Sequence, residues 1–226
     1  HKYLFVGTKG NYENIMVTTV NLETWICTFV PNYSQYVKSI AVSERNGHFC
    51  AVGKSSVGFN TPGAGVIILH DGSSGISCNV QDKRANIYED VCYSKRDDKF
   101  LAVGYILEGE VQNRTRFTIG STENDFVEYT PLPGDKYFTT VAFAEKLGFY
   151  AAGNSYGEVY KSIDGLNWDL LITLDEGIVK IKDEEENLII LTNHFVYKSV
   201  YQEIDDNLIS SLSTDSDMSF NLEIGK

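Results

Sequence analysis

Ser162, Asp164, Gly165 and Trp168 fall within seven residues of one another in the stretch YKSIDGLNW, Tyr160 to Trp168. A hydroxyl two residues from a carboxylate raises three chemistries: a serine nucleophile, a polar ligand site, or a turn stitched by side-chain hydrogen bonds. A nucleophile needs a general base and an oxyanion hole, yet there is no G-x-S-x-G context and no histidine nearby. His48, His70 and His194 stand isolated, without a partner for acid–base work. Glycoside hydrolysis needs two carboxylates about 5 to 9.5 Å apart, and Asp90, Asp135 and Glu158 are the acids such a reading would recruit. Cys27, Cys50, Cys78 and Cys92 form no C-x-x-C pair, which argues against a metal centre and for reduced core thiols. Gly63-Ala64-Gly65 precedes a strand-like run, so it lacks the helix dipole that a phosphate loop exploits. No metal and no cofactor are expected.

The chain around these residues has 226 positions, 42% hydrophobic and 22% charged, a composition that folds as a core-bearing globule. One domain, 1–226, is expected, with flanking domains left open. The net charge of −12 disfavours a nucleic-acid partner, and no apolar run of about 18 residues marks a membrane span. Residues 175–226 hold 12 acidic and 4 basic side chains, so the acidity is concentrated near the C-terminal end.

A short pattern returns along the chain: LFVG ending at Gly7, CAVG at Gly53, LAVG at Gly104, YAAG at Gly153, and a degenerate IILT at Thr192. A period of about 40 to 50 residues matches four-stranded propeller blades rather than helical repeats. Strand-like runs precede the later copies (KSIAVS, DVCYS, TTVAFA, GIVKIK), and two more follow each copy. The expected fold is therefore an all-β, five-bladed β-propeller of four-stranded antiparallel blades. Blade one lacks a preceding inner strand, and joining SFNLEIGK (219–226) to KYLFVG (2–7) imitates the other blades. The C-terminal strand is thus expected to close blade one.

Within this frame Ser162 to Trp168 becomes the turn between the third and fourth strands of blade four, echoed at Thr19 to Trp25 and at Ser121 to Phe126. Recurrence at one structural position favours a fold-building turn, with the carboxylate accepting backbone N–H groups, glycine relieving the backbone and the aromatic ring capping the blade. The phrase FYAAGNSYGEVYKSIDGLNW resembles the Asp-box repeats of sialidase-like β-propellers, and especially those of tail-fibre and receptor-binding proteins of phages of Gram-positive bacteria. That resemblance implies a structural Asp-box on the face away from the ligand, a location outside the cell or on the virion surface, and a role in host recognition. A sialidase would also need a central arginine cluster, whereas Arg45, Arg84, Arg96, Arg114 and Arg116 are dispersed.

The opposite face would receive the loops joining strands two to three and four to one. It carries the candidate ligand-binding residues Tyr12, Tyr33, Tyr36, Phe59, Arg84, Tyr88, Tyr105, Arg114, Lys136, Tyr137 and Tyr156. Tyrosines offer sugar rings a stacking surface and a hydroxyl, and basic groups hold phosphate or carboxylate. The resemblance implies a non-catalytic module binding a cell-surface glycan of wall or teichoic-acid type. The alternatives are a protein–protein interaction scaffold, with a protein partner or homo-oligomer formed through neighbouring domains, and a glycoside hydrolase.

Overall fold

The computed structural model describes residues 3–9, 13–19, 25–29, 34–56, 64–70, 77–79, 86–107, 113–121, 125–132, 136–184, 187–200 and 221–225. Every regular element among them is a β-strand, and the strands form five antiparallel sheets. Sheet I holds β1 (Tyr3–Lys9), β2 (Glu13–Thr19) and β3 (Trp25–Phe29). Sheet II holds β4 (Ser34–Val42), β5 (Phe49–Ser56), β6 (Ala64–His70) and β7 (Ser77–Asn79). Sheet III holds β8 (Asn86–Ser94), β9 (Lys99–Leu107), β10 (Asn113–Gly120) and β11 (Val127–Tyr129). Sheet IV holds β12 (Phe138–Ala144), β13 (Phe149–Asn154), β14 (Glu158–Ser162) and β15 (Asp169–Thr173). Sheet V holds β16 (Lys180–Glu184), β17 (Asn187–Leu191), β18 (Val196–Val200) and β19 (Asn221–Gly225).

Each sheet packs on the next in chain order, which explains why the repeat strands are apolar on both faces. Along β9, Leu101 and Val103 face sheet IV, whereas Phe100 and Ala102 join the cluster shared with sheet II. Along β13, Tyr150 and Ala152 face sheet III while Phe149 and Ala151 face sheet V. The two-residue period of a strand thus sends alternate side chains into two different cores. Phe117 anchors the boundary of sheets III and IV, with Trp168 and Phe138 edge-on at 5.0 Å and Tyr129 at 6.0 Å.

The C-terminal strand departs from expectation. Asn221–Gly225 pairs antiparallel with β18, Ser199 opposite Leu222, instead of completing sheet I. Sheet I accordingly has three strands among the described residues, with β2 at its centre. The pairing gives β18 an outer partner for an edge left open. It also closes a far shorter stretch of chain than a return to β1, at lower entropic cost.

Three inner strands share an irregularity that sets the centre of the molecule. The register shifts by one residue between Val37 and Ser39, Tyr88 and Asp90, and Phe138 and Thr140. Such a bulge re-aims the side chain that follows it, here Ser39, Asp90 and Thr140, and these three meet. Asp90 is 1% exposed. Its Oδ1 accepts from Ser39 Oγ at 2.5 Å and its Oδ2 from Thr140 Oγ1 at 2.8 Å and the Val141 N–H at 2.9 Å. Lys180 Nζ from sheet V lies 2.6 Å from both oxygens. Thr140 Oγ1 passes the link onward by accepting the Ile181 N–H at 2.9 Å.

The repeat glycine sits beside this bulge: Gly53, Gly104 and Gly153 pair with Val37, Tyr88 and Thr140. A Cβ on Gly104 would lie 1.9 Å from the Ile87 carbonyl oxygen, a backbone atom that cannot step aside. On Gly153 it would meet the Ile178 side chain at 2.6 Å. Gly104→Ala should therefore destabilise by about 2 kcal/mol or more, and by more than Gly153→Ala, in urea unfolding; equal midpoints for the two variants would contradict this account. Asp90→Ala, which leaves Lys180, two hydroxyls and a backbone N–H without their acceptor, should cost about 3–5 kcal/mol. A loss below about 1 kcal/mol in the same measurement would show that the centre does not depend on this carboxylate.

Candidate functional site

The Ser162 to Trp168 turn is a closed hydrogen-bonded unit. Ser162 Oγ donates to Asp164 Oδ1 at 3.0 Å and accepts the Gly165 N–H at 2.9 Å. Asp164 Oδ1 also takes the Leu166 and Asn167 N–H groups at 2.8 Å, and its Oδ2 takes Asn167 Nδ2 at 2.7 Å. Gly165 has a φ of 74°, a left-handed backbone that disfavours other residues. Trp168 is buried, its indole N–H 3.4 Å from the Tyr129 hydroxyl, which in turn donates to the Gly165 carbonyl. The sheet III echo uses the same logic: Ser121 donates through its N–H and Oγ to Asp125 at 2.8 and 2.5 Å, and Phe126 is buried.

The turn shares its face with the hairpins between first and second strands. One Arg96 guanidinium donates to the carbonyls of Gly148 and Ile163 and lies 5.0 Å over the Phe143 ring. Asp183, at the equivalent hairpin of sheet V, accepts the Glu145 N–H at 3.3 Å. The acidic positions 185–186 and 203–206 lie outside the described residues.

Burial pushes the Asp164 carboxyl up, but the hydrogen bonds from Asn167, Leu166 and Ser162 outweigh it and hold the group well below the usual carboxylate range. A depressed folded-state pKa contributes stability that is full above the unfolded value of about 4 and is lost as pH falls below it. The stability gap between the parent and Asp164→Asn should therefore be constant from about pH 5 to 7 and shrink by about pH 3. A gap that widened on acidification would contradict the bonding described.

The opposite face is built from the second-to-third turns and the sheet-to-sheet connections. The Tyr137 carbonyl accepts the Ser155 N–H at 3.1 Å, and the Asn154 carbonyl accepts the Ile178 N–H at 2.9 Å. Buried Asn154 organises its turn, its Oδ1 accepting the Tyr156 and Glu158 N–H groups at 2.9 and 3.1 Å. Leu174 N–H donates to the Gly157 carbonyl at 2.8 Å. Glu176 then fastens the sheet V turn, accepting the His194 N–H at 3.1 Å and facing its Nδ1 at 2.6 Å. The rings of this face, its aromatic band, are the edge-on pair Tyr105 and Tyr137 at 5.2 Å and the exposed Tyr156 and Phe195.

Among the described residues, the Lys136 cation of this face is already matched. Lys136 Nζ lies 2.8 Å from Glu158 Oε1 and 2.7 Å from the Tyr160 hydroxyl. The Glu158 and Tyr160 bonds hold the Lys136 ammonium above its ordinary value. Burial pushes Glu158 up, yet its bonds to Lys136, Asn154 and Tyr160 bring it below the usual range. Lys38 pairs with Glu89, and Lys180 with Asp90.

Of the expected ligand residues, the structure brings together Tyr105, Lys136, Tyr137 and Tyr156. Tyr88 is a correction: its ring is fully buried between sheets II and III and its hydroxyl donates to Glu128 at 3.3 Å. The residue just before the bulge points into the inter-sheet core, and desolvation pushes its phenol up. Tyr36 and Arg114 are strand residues, opposite Lys54 and Ile106. The stretch 105–115 that carries Tyr105 and Arg114 is largely hairpin, since β9 runs to Leu107 and β10 begins at Asn113. Tyr12, Tyr33, Phe59 and Arg84 lie outside the described residues, as does Asp135. Asp90 has both oxygens engaged at the centre, so it is not a free carboxylate for hydrolysis. Val179 and Phe195 went unnoticed in the sequence because their repeat lacks the marker glycine and turn. The aromatic residue following Asn193-His194 was the available signal.

No protein-family model matches the chain, and no curated protein matches it. Among solved structures, the β-propeller domain of Myceliophteria thermophila Cps50 (Swd1) is similar at a TM-score of 0.55 and 11% identity, over 99% of this chain and 73% of that one. The Dos1 propeller is similar at 0.55 and 12%, over 83% of this chain and 47% of its own. A chain of a nidogen/laminin complex is similar at 0.51 and 7%, over 88% and 89%. At these identities the likeness concerns the fold alone: the chain is an all-β protein of β-propeller architecture.

Proposed function

We propose that the chain is a non-catalytic scaffold, a single five-bladed propeller over 1–226 that holds a protein partner on the face bearing the aromatic band. The supporting observation is that this face combines the exposed rings of Tyr156 and Phe195 on a hydrogen-bonded backbone with a cation, Lys136, already paired with Glu158. Rigid aromatic groups among compensated charges suit a protein surface, where few side chains are ordered on binding. One structural neighbour comes from a protein–protein complex, that of nidogen and laminin. In this reading the Ser162, Asp164, Gly165 and Trp168 unit is the structural Asp-box that the sequence resemblance implies, and it serves the fold.

The wall-glycan reading, with the phage-type resemblance behind it, loses support on two counts. Tyr88 is buried, and Lys136 has no vacant charge for a phosphate. Testing requires a photo-crosslinking residue at position 156, a second at exposed position 161 as control, and a defined glycan array. Protein cross-links from 156 and not 161, with a silent array, are expected. Array binding abolished by Tyr105→Ala or Tyr137→Ala would overturn the scaffold reading in favour of sugar recognition.

A further inference from the structure

The sheet IV to sheet V end of the aromatic band has a composition of its own. Tyr156 is 59% exposed, Val179 50% and Phe195 44%. They belong to three segments, 154–157, 174–179 and 192–196, that are bonded to one another. Ile178 N–H reaches the Asn154 carbonyl, Val179 N–H the Leu191 carbonyl at 2.8 Å, and Glu176 the His194 turn. The turn is closed locally too, Thr192 N–H donating to the Phe195 carbonyl at 2.9 Å and Phe195 N–H to Thr192 Oγ1 at 3.1 Å. Gly157 and Gly177 allow this closeness, since a Cβ on either would lie 2.2 Å from the Leu174 oxygen or 2.5 Å from the Ser155 oxygen. The apolar groups are thus held in place before any partner arrives, which lowers the ordering cost of association.

Among the described residues, the charge left unpaired at this end is that of Asp175, which is exposed, whereas Glu176 beside it is already held by His194, whose Nδ1 lies 2.6 Å from Oε1. The neighbouring lysines are turned elsewhere, Lys136 to Glu158 and Lys180 to the central Asp90. The chain as a whole carries −12, so its long-range field draws cationic partners.

From these observations we infer that Tyr156, Val179 and Phe195, flanked by Asp175, dock an extended protein segment presenting one aliphatic or aromatic side chain beside a lysine or arginine. This rests on the scaffold reading and narrows it to one partner chemistry and one end of the face.

The test uses the whole chain and a displayed library of random 12-residue peptides. Enriched peptides should pair an apolar residue with Lys or Arg. Their affinity should fall roughly tenfold or more on Tyr156→Ser plus Phe195→Ser, as for interface anchors. It should fall roughly three- to tenfold, with a weaker salt dependence, on Asp175→Lys. Ile163→Ser plus Leu170→Ser, exposed residues elsewhere on sheet IV, should change nothing, and all variants should keep the parent's melting temperature within a few degrees. Peptides that bind but ignore the 156/195 change, or that show no basic preference, would overturn this inference and leave a protein scaffold standing. No enrichment, together with glycan binding on the array, would overturn both.

Discussion

Asp90 joins four of the five sheets through one carboxylate. Serine, threonine and lysine side chains and a backbone N–H converge on it from sheets II, IV and V, while its own strand belongs to sheet III. A charge buried without partners would be expelled or neutralised, so its presence requires the donors to remain where they are. This makes the centre an all-or-none arrangement: the bulges that aim Ser39, Asp90 and Thr140 are useful only if the sheets carrying them meet. The repeat glycine Gly104 follows from the same requirement, because the bulged inner strand occupies the volume a Cβ would need, whereas at Gly153 that volume is filled by the Ile178 and Ile181 side chains.

Around that centre, the alternation of each strand distributes apolar side chains into successive cores, so sheets III and IV are each held from both sides. The two faces of the stack differ in chemistry as a result. One is knitted by Arg96, Asp97, Tyr150 and the Asp164 turn into a network of hairpins. On the other, Asn154 and Glu176 fix backbone while leaving rings exposed, which is the division of labour expected where a rigid frame presents loops to a partner.

Legibility in the sequence varied with the kind of interaction. The recurrence of CAVG, LAVG and YAAG, and the Ser162 to Trp168 turn with its echo at Ser121, were readable because both depend on contacts between residues close in the chain. Tyr88 was misplaced because one bulge decides whether a tyrosine near a strand end faces solvent or core. The partner of strand 221–225 was misassigned because the similarity of its pattern to other strands carries no information about which open edge it meets. Phe195 and Val179 were missed because sheet V preserves the packing of the repeat while losing the residues that advertise it.

The sequence by itself determined the strand period, the repeat and the stitched turns, since backbone geometry and local hydrogen bonding act over a few residues. Only the tertiary structure decided that Asp90, 51 residues from Ser39 and 90 from Lys180, is the common acceptor of three sheets. It also decided that Lys136 and Lys180 are already matched while Tyr156 and Phe195 stay exposed. Pairing and exposure depend on which distant surfaces come into contact, and in a stack of similar sheets the local pattern does not encode that choice.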